Sequence, residues 1–189
     1  AKLRLPVQLV IKPATGSDDR RWYAGSLAAG VAWVGEEIVV LPSGARSRIA
    51  AVEGNAPAVR IQLVDELDVG RGDVIASAED PPTTVAHLHA RVAWMGEKPL
   101  KQGAHVIVKH ATRTVKAVVT IVHDRLDVTT LDAETGIDQL ALNEIGTIEL
   151  LTSLPLPVDD YAVNRTMGSF IVIDEITNAT VGAGMVIAA

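Results

Sequence analysis

Hydrophobic positions along this chain recur mainly with a period of two. Leu5, Val7, Leu9 and Ile11 alternate with Arg4, Pro6, Gln8 and Val10, as a half-buried strand requires. Pro6 cannot donate to a ladder, so this strand is expected at a sheet edge or with an irregular start. An aperiodic polar loop over 13–21 follows, then a strand over 22–28 and a turn punctuated by Gly30 and Gly35. The β-rich runs 38–41 and 45–52 flank Pro42-Ser43-Gly44 and predict a hairpin. Val59, Ile61 and Leu63 alternate again, and Gly70-Arg71-Gly72 leads into a strand over 73–76.

Asp80-Pro81-Pro82 interrupts the pattern. Two adjacent prolines remove two donors and stiffen the backbone, so the domain junction is expected there, with domains over 1–80 and 83–189. Beyond it Ala86, Leu88, Ala90, Val92 and Trp94 share one strand face, and His87, His89 and Arg91 the other. Runs over 105–110 and 112–123 join through a tight connection near Ala111. Residues 129–139 are acidic and irregular, a predicted loop, and strands over 145–152, 169–174 and 180–186 complete the pattern. No segment carries an apolar stripe of helical period and length. Many short strands at this spacing predict an all-β fold of barrels or sandwiches rather than βαβ units.

Composition narrows the chemistry. With 48 % hydrophobic and 21 % charged residues in 189, the chain is globular, and its 3 % aromatics leave the core to Val, Ile, Leu and Ala. A net charge of -6 argues against nucleic-acid binding by the chain as a whole. The absence of cysteine removes disulfides, thiolate metal sites and cysteine nucleophiles, and fits a reducing compartment. No apolar run approaches the ~18 residues of a membrane span. The start at Ala1-Lys2-Leu3-Arg4 carries no initiator methionine or apolar leader, and the end falls at Ile187-Ala188-Ala189, so both ends are expected to be cuts in a longer chain.

Several segments resemble the second and third domains of elongation factor Tu and its relatives. These are Arg4-Leu5-Pro6-Val7-Gln8, Tyr23-Ala24-Gly25-Ser26-Leu27-Ala28-Ala29-Gly30, Val34-Gly35-Glu36-Glu37, Leu67-Asp68-Val69-Gly70-Arg71-Gly72-Asp73 and Thr180-Val181-Gly182-Ala183-Gly184-Met185-Val186. Others resemble one branch of that superfamily, the GTPase subunits of bacterial sulfate adenylyltransferases. They are Leu41-Pro42-Ser43-Gly44, Val92-Ala93-Trp94-Met95, Lys109-His110-Ala111-Thr112-Arg113-Thr114-Val115, Leu142-Asn143-Glu144-Ile145-Gly146 and Asn164-Arg165-Thr166-Met167-Gly168-Ser169-Phe170-Ile171, continued by Ile173-Asp174 and Thr177-Asn178-Ala179-Thr180. Met167 departs from the threonine expected there, and the stretch 53–58 is shorter than expected.

The resemblance covers the whole chain and implies two consecutive small antiparallel β-barrels of the translation-factor type. It also implies a cytoplasmic parent with its own GTPase domain, which would hold GTP and Mg. The partner would be an adenylyltransferase catalytic subunit that makes adenosine 5′-phosphosulfate from ATP and sulfate, an unfavourable step helped by GTP hydrolysis. In some relatives an adenylylsulfate kinase domain follows the last barrel. The alternative implied function is an RNA-handling module, since the same barrel pair binds aminoacyl-tRNA in elongation factor Tu. The charge of -6 speaks against it.

Neither Gly-x-x-x-x-Gly-Lys-Ser/Thr nor Asn-Lys-x-Asp occurs, so the chain alone is not expected to bind or hydrolyse GTP, and no catalytic, cofactor or metal residue is assigned. His87 and His89 could supply two metal ligands or be a solvated strand face. Asp18-Asp19-Arg20-Arg21 reads as a docking loop or an ordinary solvated one, and Asp159-Asp160 as a surface turn. The basic run Lys109, His110, Arg113 and Lys116 could meet an acidic partner or a nucleotide phosphate, or be a charged outer barrel face. Lys109, Arg113 and Lys116 are the candidate partner-interface residues. Gly182 and Gly184 are expected at packing or close-approach positions, and Gly70 and Gly72 in turns.

Overall fold

A computed structural model describes residues 1–14, 16 and 19–187, and among them it contains sixteen strands and no helix. The chain divides into two compact units, Ala1–Pro82 and Thr83–Ala189. Each buries its own set of aliphatic side chains, as a chain short of aromatics must.

The first unit holds β1 (Arg4–Pro6), β2 (Leu9–Ile11), β3 (Trp22–Ser26), β4 (Glu37–Leu41), β5 (Ala45–Asn55), β6 (Ala58–Leu63) and β7 (Val74–Ser77). They form one antiparallel sheet in the order β1-β7-β4-β5-β6-β3-β2. The sheet curls around Leu3, Leu5, Ile38, Ile49, Ile61 and Ile75, each at most 1 % exposed. Its two edge strands are separated in sequence only by Val7-Gln8. The Val7 amide donates to the Asp73 carbonyl (2.8 Å) and the Gln8 amide to the Ala24 carbonyl (2.9 Å), so one short link serves both edges. Pro6 sits in β1 at a sheet edge, where its missing donor is tolerated.

That link corrects the single strand expected from Leu5 to Ile11. Changing partners between Val7 and Gln8 shifts the alternation by one residue, and such a shift exchanges the faces. Leu9 is therefore exposed, and Val10 packs against the core in its place.

The second unit contains β8 (Thr83–Trp94), β9 (Leu100–Lys101), β10 (His105–His110), β11 (Arg113–Leu126), β12 (Ala133–Thr135), β13 (Gln139–Leu140), β14 (Ile145–Val158), β15 (Ser169–Ile173) and β16 (Thr180–Val186). The order β10-β15-β16-β8-β14-β11-β12, with β10 also pairing β11, closes a six-stranded antiparallel barrel. Only this unit closes its ladder all the way round; the first remains a curled half-barrel. Closure removes the exposed edges that an open sheet must protect. The interior is filled by Leu88, Val92, Val108, Val119, Ile148, Leu150, Leu156 and Val172, with Phe170 and Trp94 as its aromatic members.

The acidic stretch 129–139, expected as a loop, carries β12 against β11 and begins β13, which pairs with β9. Its three β12 residues are all exposed, so burial left no alternation to detect. β14 runs past the expected end at Thr152 and resumes pairing with β8 at Leu156 after a register shift. Gly184 packs directly against a core ring: a Cβ there would stand 2.1 Å from Cζ of Phe170.

Candidate partner interface

The three candidate interface residues all lie on the β10–β11 hairpin. Its turn is Ala111-Thr112, with Ala111 at a φ of 48° in the left-handed region. Lys109 stands opposite Thr114, and Ile107 opposite Lys116. Strand alternation then turns Lys109, Thr114 and Lys116 outward, while Val108, Val115 and Ala117 fill the barrel. Lys109 and Lys116 are thus diagonal neighbours on one exposed face. Arg113 has the opposite parity: it faces His110 across the turn and is half-buried. The hairpin brings the two lysines together and sets the arginine apart.

His110 leaves the basic run altogether. It is buried, and its Nε2 lies 2.9 Å from the Met167 carbonyl oxygen. Burial holds its pKa below the ordinary histidine value, with the Met167 carbonyl and the Asp159 charge pulling the other way. A neutral ring donating from Nε2 satisfies this arrangement. Met167, the departure from the expected threonine, is itself fully buried, and its amide donates to Oδ1 of Asn164 at 3.1 Å. The position therefore joins the hairpin to the 159–168 turn.

His87 and His89 are exposed on β8. The His89 ring meets His123 edge-on at 5.6 Å, and Nε2 of His123 lies 2.8 Å from Oε1 of Glu149. Among the described residues no group of three or more His, Asp or Glu side chains is arranged to hold a metal ion. Asp159 and Asp160 form a turn: the Ala162 amide donates to Oδ1 of Asp160 (2.9 Å), and Nδ2 of Asn164 to Oδ2 of Asp159 (3.2 Å). Asp18 lies outside the described residues. Asp19, Arg20 and Arg21 border a small cavity of about 150 Å³ with Tyr23 and Glu66, and Nη2 of Arg21 lies 3.7 Å from Glu66. Gly72 takes a φ of 98°, as a turn glycine does, and the Gly70 amide donates to Asp73 at 2.8 Å. No helix among the described residues is long and apolar enough to cross a membrane.

Residues 87–187, the closed barrel almost entire, match the family model described as GTP-eEF1A C-terminal domain-like. The chain belongs to that family. Its homologues name a narrower branch. It is 44 % identical over 196 residues to "Bifunctional enzyme CysN/CysC" of Mycobacterium tuberculosis, covering 98 % of this chain and 32 % of that protein. It is 39 % identical over 194 residues to "Sulfate adenylyltransferase subunit 1" of Aeromonas salmonicida, covering 98 % of this chain and 40 % of that one. The chain thus spans about a third to two-fifths of the relatives it matches. Among solved structures, Sup35 complexed with GDP superposes with a TM-score of 0.85 at 20 % identity, over 99 % of this chain and 47 % of that one. That likeness establishes the shared fold.

Proposed function

We propose that this chain is the barrel portion of a sulfate adenylyltransferase GTPase subunit. It is non-catalytic itself and carries the nucleotide state of a GTPase domain to the adenylyltransferase catalytic subunit. The observation that carries this reading is continuous similarity to subunit 1 relatives over 98 % of the chain, well above the 20 % identity that accompanies the bare fold. In this reading GTP and Mg are held by the subunit's own GTPase domain, since this chain has neither the phosphate-cradling nor the guanine-reading motif. The catalytic subunit, working in the cytoplasm, transfers the adenylyl group of ATP to sulfate. The similarity to a bifunctional relative supports a form in which an adenylylsulfate kinase domain belongs to the same chain.

Coupling requires an interface with two states whose populations the nucleotide biases. The barrels' contribution is rigid: a closed ladder holds Lys109 and Lys116 at fixed register and offers the partner a surface of defined shape. A chimera tests the reading. Residues 1–187 are exchanged for the matching barrels of the Aeromonas salmonicida subunit. GTP-dependent synthesis of adenosine 5′-phosphosulfate should persist, and should be lost when the Sup35 barrels are exchanged instead. A folded chimera with these barrels that no longer responds to GTP would refute it.

A further inference from the structure

The outer wall of the closed barrel has a feature that the basic run alone does not reveal. Lys109, Ile171, Ala183 and Ala93 stand in one cross-strand row over β10, β15, β16 and β8. Ala183 and Ala93, directly opposite each other, carry only methyl groups, so the wall dips there between Met185, Tyr161 and Ile171. The result is an open groove of about 500 Å³ in which Lys109 is the only charged lining residue. Arg91 stands opposite Met185 on β8, beside the groove and outside its lining, and its Nε is buried without a hydrogen-bond partner. Neither Lys109 nor Arg91 forms an ion pair among the described residues. The carboxylates next to Tyr161 are occupied in their own turn, Asp160 by the Ala162 amide and Asp159 by Asn164.

We infer that this groove binds an extended acidic segment of the catalytic subunit, with an apolar side chain over Ala183 and Ala93 and a carboxylate reaching Lys109. This rests on the function proposed above and names the chemistry of the segment that docks. Oppositely charged rims speed encounter and fix register, while the desolvated apolar centre carries affinity. A nucleic acid is the poorer fit, because it rewards many phosphate contacts and the apolar floor offers none.

The chain has no native cysteine, so Gln102→Cys, on an exposed turn, accepts a single fluorophore. Anisotropy of the labelled chain is followed during titration with the purified catalytic subunit. Lys109→Glu and Ala183→Arg should each weaken binding at least tenfold, while Lys12→Glu, in the first unit, should change it less than twofold. Circular dichroism verifies that both variants fold, and the two perturb the groove by independent means. Equal binding by all variants would overturn the groove as the docking site and leave the proposed function standing. No binding by the unmodified chain would overturn both. Saturation instead by tRNA, or by unlabelled chain, in a Lys109-dependent manner would assign the groove to a different occupant and overturn the inference.

Discussion

Replacing Gly184 with alanine tests how the closed barrel is packed. The added Cβ would lie 2.1, 2.4 and 2.6 Å from Cζ, Cε2 and Cε1 of Phe170, where ordinary carbon contacts need about 3.5–4.0 Å. The ring cannot retreat freely. Phe170 is 4 % exposed and belongs to the core cluster with Val92, Val172 and Val186. Relief must come from moving an aromatic ring by more than 1 Å or from opening the β15–β16 ladder, which pairs Phe170 with Gly184 directly. Overpacking a dense core costs about 1–3 kcal/mol, and a clash with three ring atoms belongs at the upper end, about 2–3 kcal/mol. Phe170→Leu alone should cost about 1–2 kcal/mol through lost packing, yet it removes the atoms that collide. In that background Gly184→Ala should therefore cost less than about 1 kcal/mol, a coupling of the size that touching residues show. Urea unfolding followed by the fluorescence of Trp94, the second unit's only tryptophan, measures all four corners of the cycle. A loss below about 0.5 kcal/mol for Gly184→Ala, or an equal loss in both backgrounds, would refute the packing argument.

Other perturbations separate electrostatics, backbone strain and buried polarity. His110 is held neutral by burial, so its folded pKa lies below its unfolded value. The unfolded chain then binds the extra proton first, and stability falls as pH drops through about 6.5, by at most about 1.4 kcal/mol per pH unit. His110→Gln should remove this dependence from the second unit's unfolding midpoint between pH 7 and 5. Ala111→Gly should stabilise the second unit by about 0.5–1 kcal/mol, because a φ of 48° strains alanine and not glycine; the urea midpoint reads it. Arg4 is 6 % exposed and donates to the carbonyls of Asp80 (2.7 Å) and Leu3 (3.2 Å). Arg4→Leu should therefore destabilise the first unit by about 2–3 kcal/mol through acceptors left unpaired. Asp80→Asn should cost little, since that carboxylate is exposed and 3.9 Å from the guanidinium.

Where burial is one-sided, the sequence predicted the structure well. The β8 alternation, with Leu88, Ala90, Val92 and Trp94 inward, and the 38–52 hairpin follow from side-chain period and turn chemistry alone. Barrel closure was legible only through resemblance, because the β10–β15 pairing joins strands far apart in sequence whose own patterns do not specify partners. Local rules failed where neighbours decide. The link at Val7-Gln8 changes partners without any break in composition, and β12 is exposed on every residue.

The interface residues divide along the same line. Alternation alone places Lys116 with Thr114, and register adds Lys109 to that face. His110 looked basic in sequence, yet it shares the inward parity of Val106 and Val108, and the partner for its buried Nε2 is the Met167 carbonyl 57 residues away. The groove was missed for a related reason. Ala93, Ala183 and Ile171 are unremarkable in three separate segments and form a depression only once register aligns them.

Under the proposed function these barrels dock on an adenylyltransferase catalytic subunit. Calorimetric titration of the folded, unmodified chain against that purified subunit tests it most directly. Docking should give a saturable 1:1 heat that weakens as salt is raised, because charged rim residues take part. A chain shown to be folded that gives no heat across the titration, at low salt and at more than one temperature, would contradict it.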